Sequence, residues 1–499
     1  MTPADLFIEL YLVAEQWDAT SRTLAIEPDS TDREKIRRFV RGGAGDLAYR
    51  SLKALLPATY ESDENRGYVL AVLQAIDRVF GEVHPRAQTS LSTSREPVPA
   101  WLDTLNEARS ATGEYAKFDT RSLIPCGTFS RGHRHVDASF ADRLADRYSS
   151  LALVSTVVQQ DGRNIPVKTV VFGASGLQGV SQGARPGYET LTAIPIAEVF
   201  GELVLTEHLR GERRLVEYEL AEGVDAASRM FQALVQAGSH DIAIAPELVM
   251  AETEVGKLRD LLDQNRIDCR LIVAGSGLSV DQRSGLAWNQ TEVLNARGYR
   301  LWRQRKIWPA GINGDRAAQY GLESSAEGLR YELTASGDEV VIADVDGLGR
   351  CLVLICQDLE ARSMTDDLVR QYQPDWVFTP ILDPGIEHGR WAHQRALQLG
   401  ATARSRFVVC TSTALPNSVA SPKQSDCLLV VGPRDVTEQD GGRRFHLFGN
   451  EDGRSPGWVR CCWDDTNWPK IQLQPASGSH SEQDPEPTEE TGGTALSSD

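Results

Sequence analysis

No apolar run in this 499-residue chain approaches the ~20 consecutive residues that a membrane-spanning helix needs. No membrane partner is expected. The first residues, Met1-Thr2-Pro3-Ala4-Asp5-Leu6, lack the positive n-region and cleavage site of a secretory signal. The eight cysteines follow no disulfide framework, and several sit inside strand-like runs as buried thiols do. A reducing, cytoplasmic setting is expected. Positive charge is also short: 52 Lys and Arg stand against 70 Asp and Glu, a net charge of −18. That balance argues against nucleic acid as a partner. Gly173, Gly176, Gly179 and Gly183 come after a strand-like run. They have neither the Lys-Ser/Thr of a P-loop nor GxGxxG spacing, so they read as a loop rather than a phosphate cradle. Cys126, His133 and His135 lack a second ligand pair at metal-binding spacing, so no metal is expected. No cofactor is expected, and no internal repeat of fixed period is visible.

The composition that is present is of a large soluble type, 41% hydrophobic and 24% charged, long enough for about two to three domains. Residues 1 to about 112 read as helical. Leu6, Leu10, Val13 and Trp17 recur at helical spacing, and Thr31 with Glu34 forms a possible capping box. Arg33, Lys35, Arg37, Arg38 and Arg41 cluster on one such segment and read as a solvated helix face. A Ser/Thr/Pro-bearing stretch, 84–99, separates this region from the rest of the chain. Residues 113–220 are mixed. From Asp225 onward strands and helices alternate, which implies an α/β sandwich. The strand that opens this alternation is either Leu191–Ile196 or Leu215–Leu220. Residues 475–499 carry six acids and no Lys or Arg, with almost nothing apolar to bury, so disorder is expected there.

Three strand-like runs end on residues with chemistry. Asp241-Ile242-Ala243-Ile244-Ala245-Pro246 leads to Glu247. Trp302-Arg303-Gln304-Arg305 leads to Lys306. Cys351-Leu352-Val353-Leu354-Ile355 leads to Cys356, with Gln357 and Asp358 next in the chain. A thiol at a strand end can face a cleft while the strand holds it rigid, and the next backbone N–H can serve a developing oxyanion. A carboxylate can take the thiol proton and return it to a leaving nitrogen. An ammonium can hold the anionic intermediate.

Glu, Lys and Cys in this order resemble the nitrilase (carbon–nitrogen hydrolase) superfamily. The resemblance runs from about residue 220 to 435. It includes Arg270–Ser276, which ends in Gly-Ser, the stretch from Asn289 to Lys306, and the late strands Phe407–Thr411 and Ser425–Pro433. It implies a four-layer α-β-β-α sandwich preceded by a mostly helical N-terminal region. It implies catalysis by Glu247, Lys306 and Cys356 through a thioester, with the Gln357 backbone N–H at the oxyanion. The family's second glutamate is best matched by Glu327, with Glu323 and Glu332 as rivals. The substrate implied is a small amide or nitrile, with an amide preferred. Gln357 stands where much of the family has an aromatic residue, which puts pocket shape in doubt.

The expected organisation is therefore 1–112 as a docking or regulatory helical region, separable and able to bind a protein partner or a second copy. Residues 113–220 connect and supply early core strands, 221–473 form the catalytic domain, and 474–499 form the tail. Two other readings stand beside this one. One is a Cys-His hydrolase pairing Cys356 with His388 or His393. The other is a catalytically silent scaffold that binds a partner through the N-terminal helices.

Overall fold

The computed structural model describes residues 1–83, 98–127, 143–173, 189–199, 201–281, 285–314, 328–403, 405–415, 426–433, 443–449, 457–462 and 470–471. The acidic tail, most of the 84–99 stretch, His133, His135, Glu323 and Glu327 lie outside them.

The chain is a mixed α/β protein. Among the described residues two large sheets dominate. One runs in the order 300–305, 287–294, 271–280, 242–244, 190–193, 459–462, 470–471. The other runs 443–449, 426–433, 406–411, 376–381, 349–353, 340–345, 163–172, 157–160. At the centre of the first, Ile242–Ile244 lies parallel to both Leu191–Ala193 and Leu271–Val273. At the centre of the second, Trp376–Ile381 lies parallel to Cys351–Val353 on one side and to Arg406–Thr411 on the other. Central parallel strands are covered on both faces, which is why they read as unbroken apolar runs.

The period of two in a strand decides what each face does. Ile242 and Ile244 point into a cluster shared with Leu352, Phe378, Val408 and Leu429 of the second sheet. The smaller Ala243 and Ala245 face the other way, against Met230 and Leu234 of helix Ala226–Ala237 and Val255 and Leu258 of helix Glu252–Gln264. Alanine on that face lets the helices approach closely. Helices Arg362–Tyr372 and Trp391–Thr402 lie beside strands of the second sheet.

The early strand is settled by its pairing. Thr190–Ala193 enters the first sheet, while Arg213–Leu220 forms a hairpin with Leu203–Arg210 in a smaller sheet with 311–312 and 330–332. Strands 157–160 and 163–172 also come from the connecting region. The sheets thus draw on residues before 221.

Among the described residues six helices lie between Pro3 and Thr112. Their apolar faces, with Leu6, Leu10, Leu73 and Phe80, enclose Leu123, Tyr148, Leu151 and Leu153 in one cluster. The Asp77 carboxylate accepts from the backbone amides of Ser150 at 2.9 Å and Leu151 at 2.8 Å. Arg109 of the last helix pairs with Asp344, which also binds Arg350 at 2.8 Å. Burial alone would push the Asp344 carboxyl up. The two arginines outweigh it and hold the group well below the usual carboxylate range. Among the described residues no helix is long and apolar enough to cross a membrane.

Candidate active site

Glu247, Lys306 and Cys356 each leave a strand at its carboxyl end, where open α/β sheets form their crevices. Each is held there by backbone contacts with its neighbours. The Pro246 carbonyl accepts from Ser276 N–H at 2.9 Å, and Glu247 N–H donates to the Ile381 carbonyl at 3.2 Å. Gly275 has φ of 78°. A Cβ there would sit 2.4 Å from the Pro246 oxygen, and one on Gly277 would sit 2.3 Å from the Met250 carbonyl carbon. The Gly-Ser-Gly of that strand is what lets the Glu247 loop lie against it. Lys306 N–H donates to the Asn289 carbonyl at 2.8 Å, carrying on the pairing of 300–305 with 287–294.

Cys356 has φ of 47° and opens a short 3₁₀ turn, Cys356–Glu360. A left-handed conformation is costly for a residue with a Cβ. Asp358 secures this turn. Its carboxylate accepts from Ile307 N–H at 3.0 Å, Trp308 N–H at 2.8 Å and Ile355 N–H at 3.3 Å. One side chain thereby ties the cysteine turn to the residues after Lys306. Burial pushes the Asp358 carboxyl up to about 7, against the pull of these amides and of Lys306.

The three side chains converge. Lys306 Nζ lies 2.7 Å from Glu247 Oε1, and the Cys356 thiol is near enough to Glu247 for the carboxylate charge to act on it. A second carboxylate completes the set: Lys306 Nζ lies 2.5 Å from Glu332 Oε2. Glu327, the preferred sequence candidate, lies outside the described residues. Its rival Glu332 is the one on the lysine, placed by the parallel pairing of 330–332 with 214–216. Asn289 Nδ2 donates to Glu247 at 2.8 Å and to Glu332 at 2.9 Å, so it spaces the two carboxylates. Leu382 N–H donates to Glu247 Oε2 at 2.9 Å, and Ala310 N–H to Glu332 Oε2 at 3.0 Å. The Gln357 side chain donates to Glu360 at 2.6 Å.

Leu382 had no sequence signal as a site residue, and Asn289 was visible only as the start of the stretch leading to Lys306; the fold makes it a fully buried polar residue. His388 and His393 lie against each other, ring centroids 4.8 Å apart, at the start of another helix.

The four groups are almost wholly withdrawn from water: Glu247 is 2% exposed, Lys306 1%, Cys356 7% and Glu332 9%. Burial, then repulsion by Glu332, raises the Glu247 carboxyl despite the nearby lysine. Burial acts the same way on Glu332, but the Lys306 charge and hydrogen bonds from Lys306, Ala310 and Asn289 outweigh it and lower that carboxyl. Burial lowers the ammonium of Lys306, yet the two carboxylates overcome it and raise the group well above the usual range. Burial and the Glu247 charge hold the Cys356 thiol protonated. The two carboxyls are thus driven apart, Glu247 up and Glu332 down. Among the described residues no group of three or more His, Cys, Asp and Glu side chains has the arrangement of a metal site.

No protein-family model matches the chain, and no curated protein matches it. Solved structures similar to it are members of the nitrilase superfamily. One is Saccharomyces cerevisiae Nit3, described as a member of branch 10 of that superfamily. It is 13% identical, with 56% of this chain and 90% of that one covered and a TM-score of 0.36. Another is an amidase from Nesterenkonia sp., 16% identical, covering 57% and 94%, with a TM-score of 0.35. A double mutant of that amidase in complex with acrylamide is 15% identical over 57% and 94%, with a TM-score of 0.36.

Proposed function

We propose that this protein is a carbon–nitrogen hydrolase, an amidase rather than a nitrilase, built on an α-β-β-α sandwich. The observation that carries the reading is Glu247. One of its oxygens receives both the Lys306 ammonium and Asn289, and its charge acts on the nearby thiol of Cys356.

The placement of these groups sets the chemistry. Cys356 Sγ attacks the amide carbon while its proton passes to Glu247, so no free thiolate need accumulate. The carbonyl oxygen becomes an oxyanion between Lys306 Nζ and the Gln357 backbone N–H. Glu247 gives the proton to the nitrogen, the C–N bond breaks, and ammonia or an amine leaves a thioester on Cys356. Glu247 then takes a proton from water, whose oxygen attacks the thioester. The acid departs and the thiol is restored. Glu332 stays anionic and keeps Lys306 charged and aimed, the role anticipated for Glu327. No cofactor takes part.

Glu247→Gln tests this against the Cys-His reading. The substitution keeps the shape and removes the base, with an expected loss of about 10²–10⁴ in amide turnover and no loss of fold. His388→Ala and His393→Ala should keep most of the activity. The reverse pattern in an ammonia-release assay would reject the assignment. The pH profile gives an independent reading. Glu247 must be ionised to accept the thiol proton, and its carboxyl is raised. Activity should therefore fall on acidification at a pH above the ordinary glutamate value, about 4.3.

A further inference from the structure

The hairpin formed by Leu203–Arg210 and Arg213–Leu220 belongs to neither large sheet, and its position bears on what the site can accept. Its turn is tight, with Gly211 at φ of 61°. The strands alternate. Leu205 lies opposite Tyr218, and Leu203 opposite Leu220. Val204 lies on the outer face and is exposed, with His208 and Glu217 paired on that side at 3.1 Å, while Leu209, opposite Arg214 on the inner face, lies beyond the packed cluster and is also exposed. The inner side is apolar away from the turn and charged towards it, where Arg214 and Glu207 pair at 3.1 Å. Val216 and Tyr218 are buried in a small cluster with Leu248, Ile312, Leu382 and Leu415, and Leu203 and Leu205 pack against it.

Those partners are the surroundings of the catalytic group. Leu248 is next to Glu247 in the chain. The Leu382 amide donates to Glu247. Val216 pairs with Glu332 itself, and its carbonyl accepts from Leu333 N–H at 2.8 Å. The hairpin is thus pinned beside the second glutamate with its apolar face over the site, and Tyr218 is two residues along that face.

Charge narrows the choice further. Glu247 and Glu332 share the one ammonium of Lys306. The buried guanidinium of Arg330 lies 3.4 Å from Glu207 of the hairpin, which it shares with Arg214 at 3.1 Å. An acyl group carrying a carboxylate would bring a further negative charge into a group already holding two carboxylates against one cation, in surroundings where charge is poorly screened.

We infer that the hairpin forms the wall of the acyl pocket and that Tyr218 is its specificity-determining residue, so that the site takes amides of uncharged, apolar acyl groups of limited size. This rests on the hydrolase reading and adds the substrate class to it. Burial, then the Glu247, Glu332 and Cys356 charges, raise the Tyr218 phenol, so the wall is neutral at working pH.

The test uses the full chain and reads alkylation of Cys356 by peptide mapping, which needs no known substrate. Second-order rates are measured with iodoacetamide, iodoacetate and 2-iodohexanamide, each divided by the rate with glutathione. The wild-type protein should prefer iodoacetamide over iodoacetate about tenfold or more, the scale of a poorly screened like-charge contact. Tyr218→Ala should raise the rate with 2-iodohexanamide relative to iodoacetamide by about tenfold, the scale for added methylenes in an apolar pocket. Tyr218→Phe, which keeps the ring, should retain the wild-type ratio. If Tyr218→Ala does not fold, Tyr218→Leu is read on the same ratio. Unchanged size ratios, or equal rates for the neutral and anionic reagents, overturn the inference and leave the hydrolase assignment standing. If no reagent modifies Cys356 in the folded protein, the hydrolase assignment falls and the inference falls with it.

Discussion

Lys306→Ala should abolish amide turnover and destabilise the protein together. Lys306 is the shared cation of two buried carboxylates, at 2.7 Å from Glu247 and 2.5 Å from Glu332. Breaking a buried pair by removing one partner costs about 3–5 kcal/mol, because the other charge is left uncompensated. Losing one oxyanion donor costs about 10²–10³ in rate. The stability loss should depend on pH in a defined direction. Without the ammonium, Glu247 and Glu332 face each other across Asn289, and their carboxyls are raised above unfolded values. A raised carboxyl contributes stability that is present at low pH and lost as pH rises through its folded value. The wild-type Glu332 carboxyl is lowered, so its contribution is present at neutral pH and lost on acidification. The gap between variant and wild type should thus be widest near neutral pH and narrow as pH falls. Thermal melts across pH would show it. A variant that melts with the wild type at pH 7 would contradict the burial of this ion pair.

The second large effect concerns the N-terminal helices. The sequence suggests a separable region ending near residue 112. Yet Leu123, Tyr148, Leu151 and Leu153 lie in one cluster with Leu6, Leu10, Leu73 and Phe80. A fragment beginning at residue 113 would expose those four side chains. Each fully exposed side chain of this kind forfeits about 1.5–3 kcal/mol, comparable in sum to a typical total stability. It would also remove Arg109 from Asp344 and Asp77 from the amides of Ser150 and Leu151. The fragment is expected to aggregate or lose cooperative melting. A soluble, sharply melting fragment 113–499 would instead establish the helices as an independent module.

Much of the α/β alternation was legible because buried parallel strands are apolar on both faces, as in Trp376–Ile381 and Arg406–Thr411. Glu247 and Cys356 were legible for the same reason, since each follows an apolar run, whereas Lys306 follows an antiparallel strand of mixed character, Arg300–Arg305, and was legible by its place between the other two. The features that were not legible depended on distant pairing. Leu215–Leu220 and Leu191–Ile196 have similar local patterns. Only the parallel partner at Ile242 distinguishes the strand of the large sheet from the strand of the hairpin. Glu332 could not be told from Glu327 because its strand is three residues long. Its place is set by Val216, over a hundred residues earlier. Asp358 was visible beside Cys356, but its hold on Ile307 and Trp308 comes from the fold alone.

The most direct measurement of the central claim is capture of the covalent intermediate. The full chain is mixed with a panel of small primary amides, quenched in acid within the first turnovers, digested and mapped by mass. The expected result is the acyl mass of the substrate on the peptide carrying Cys356, lost on treatment with hydroxylamine, and absent from Cys356→Ala. Ammonia release with that peptide unmodified throughout, or with the acyl group on another residue, would contradict the account.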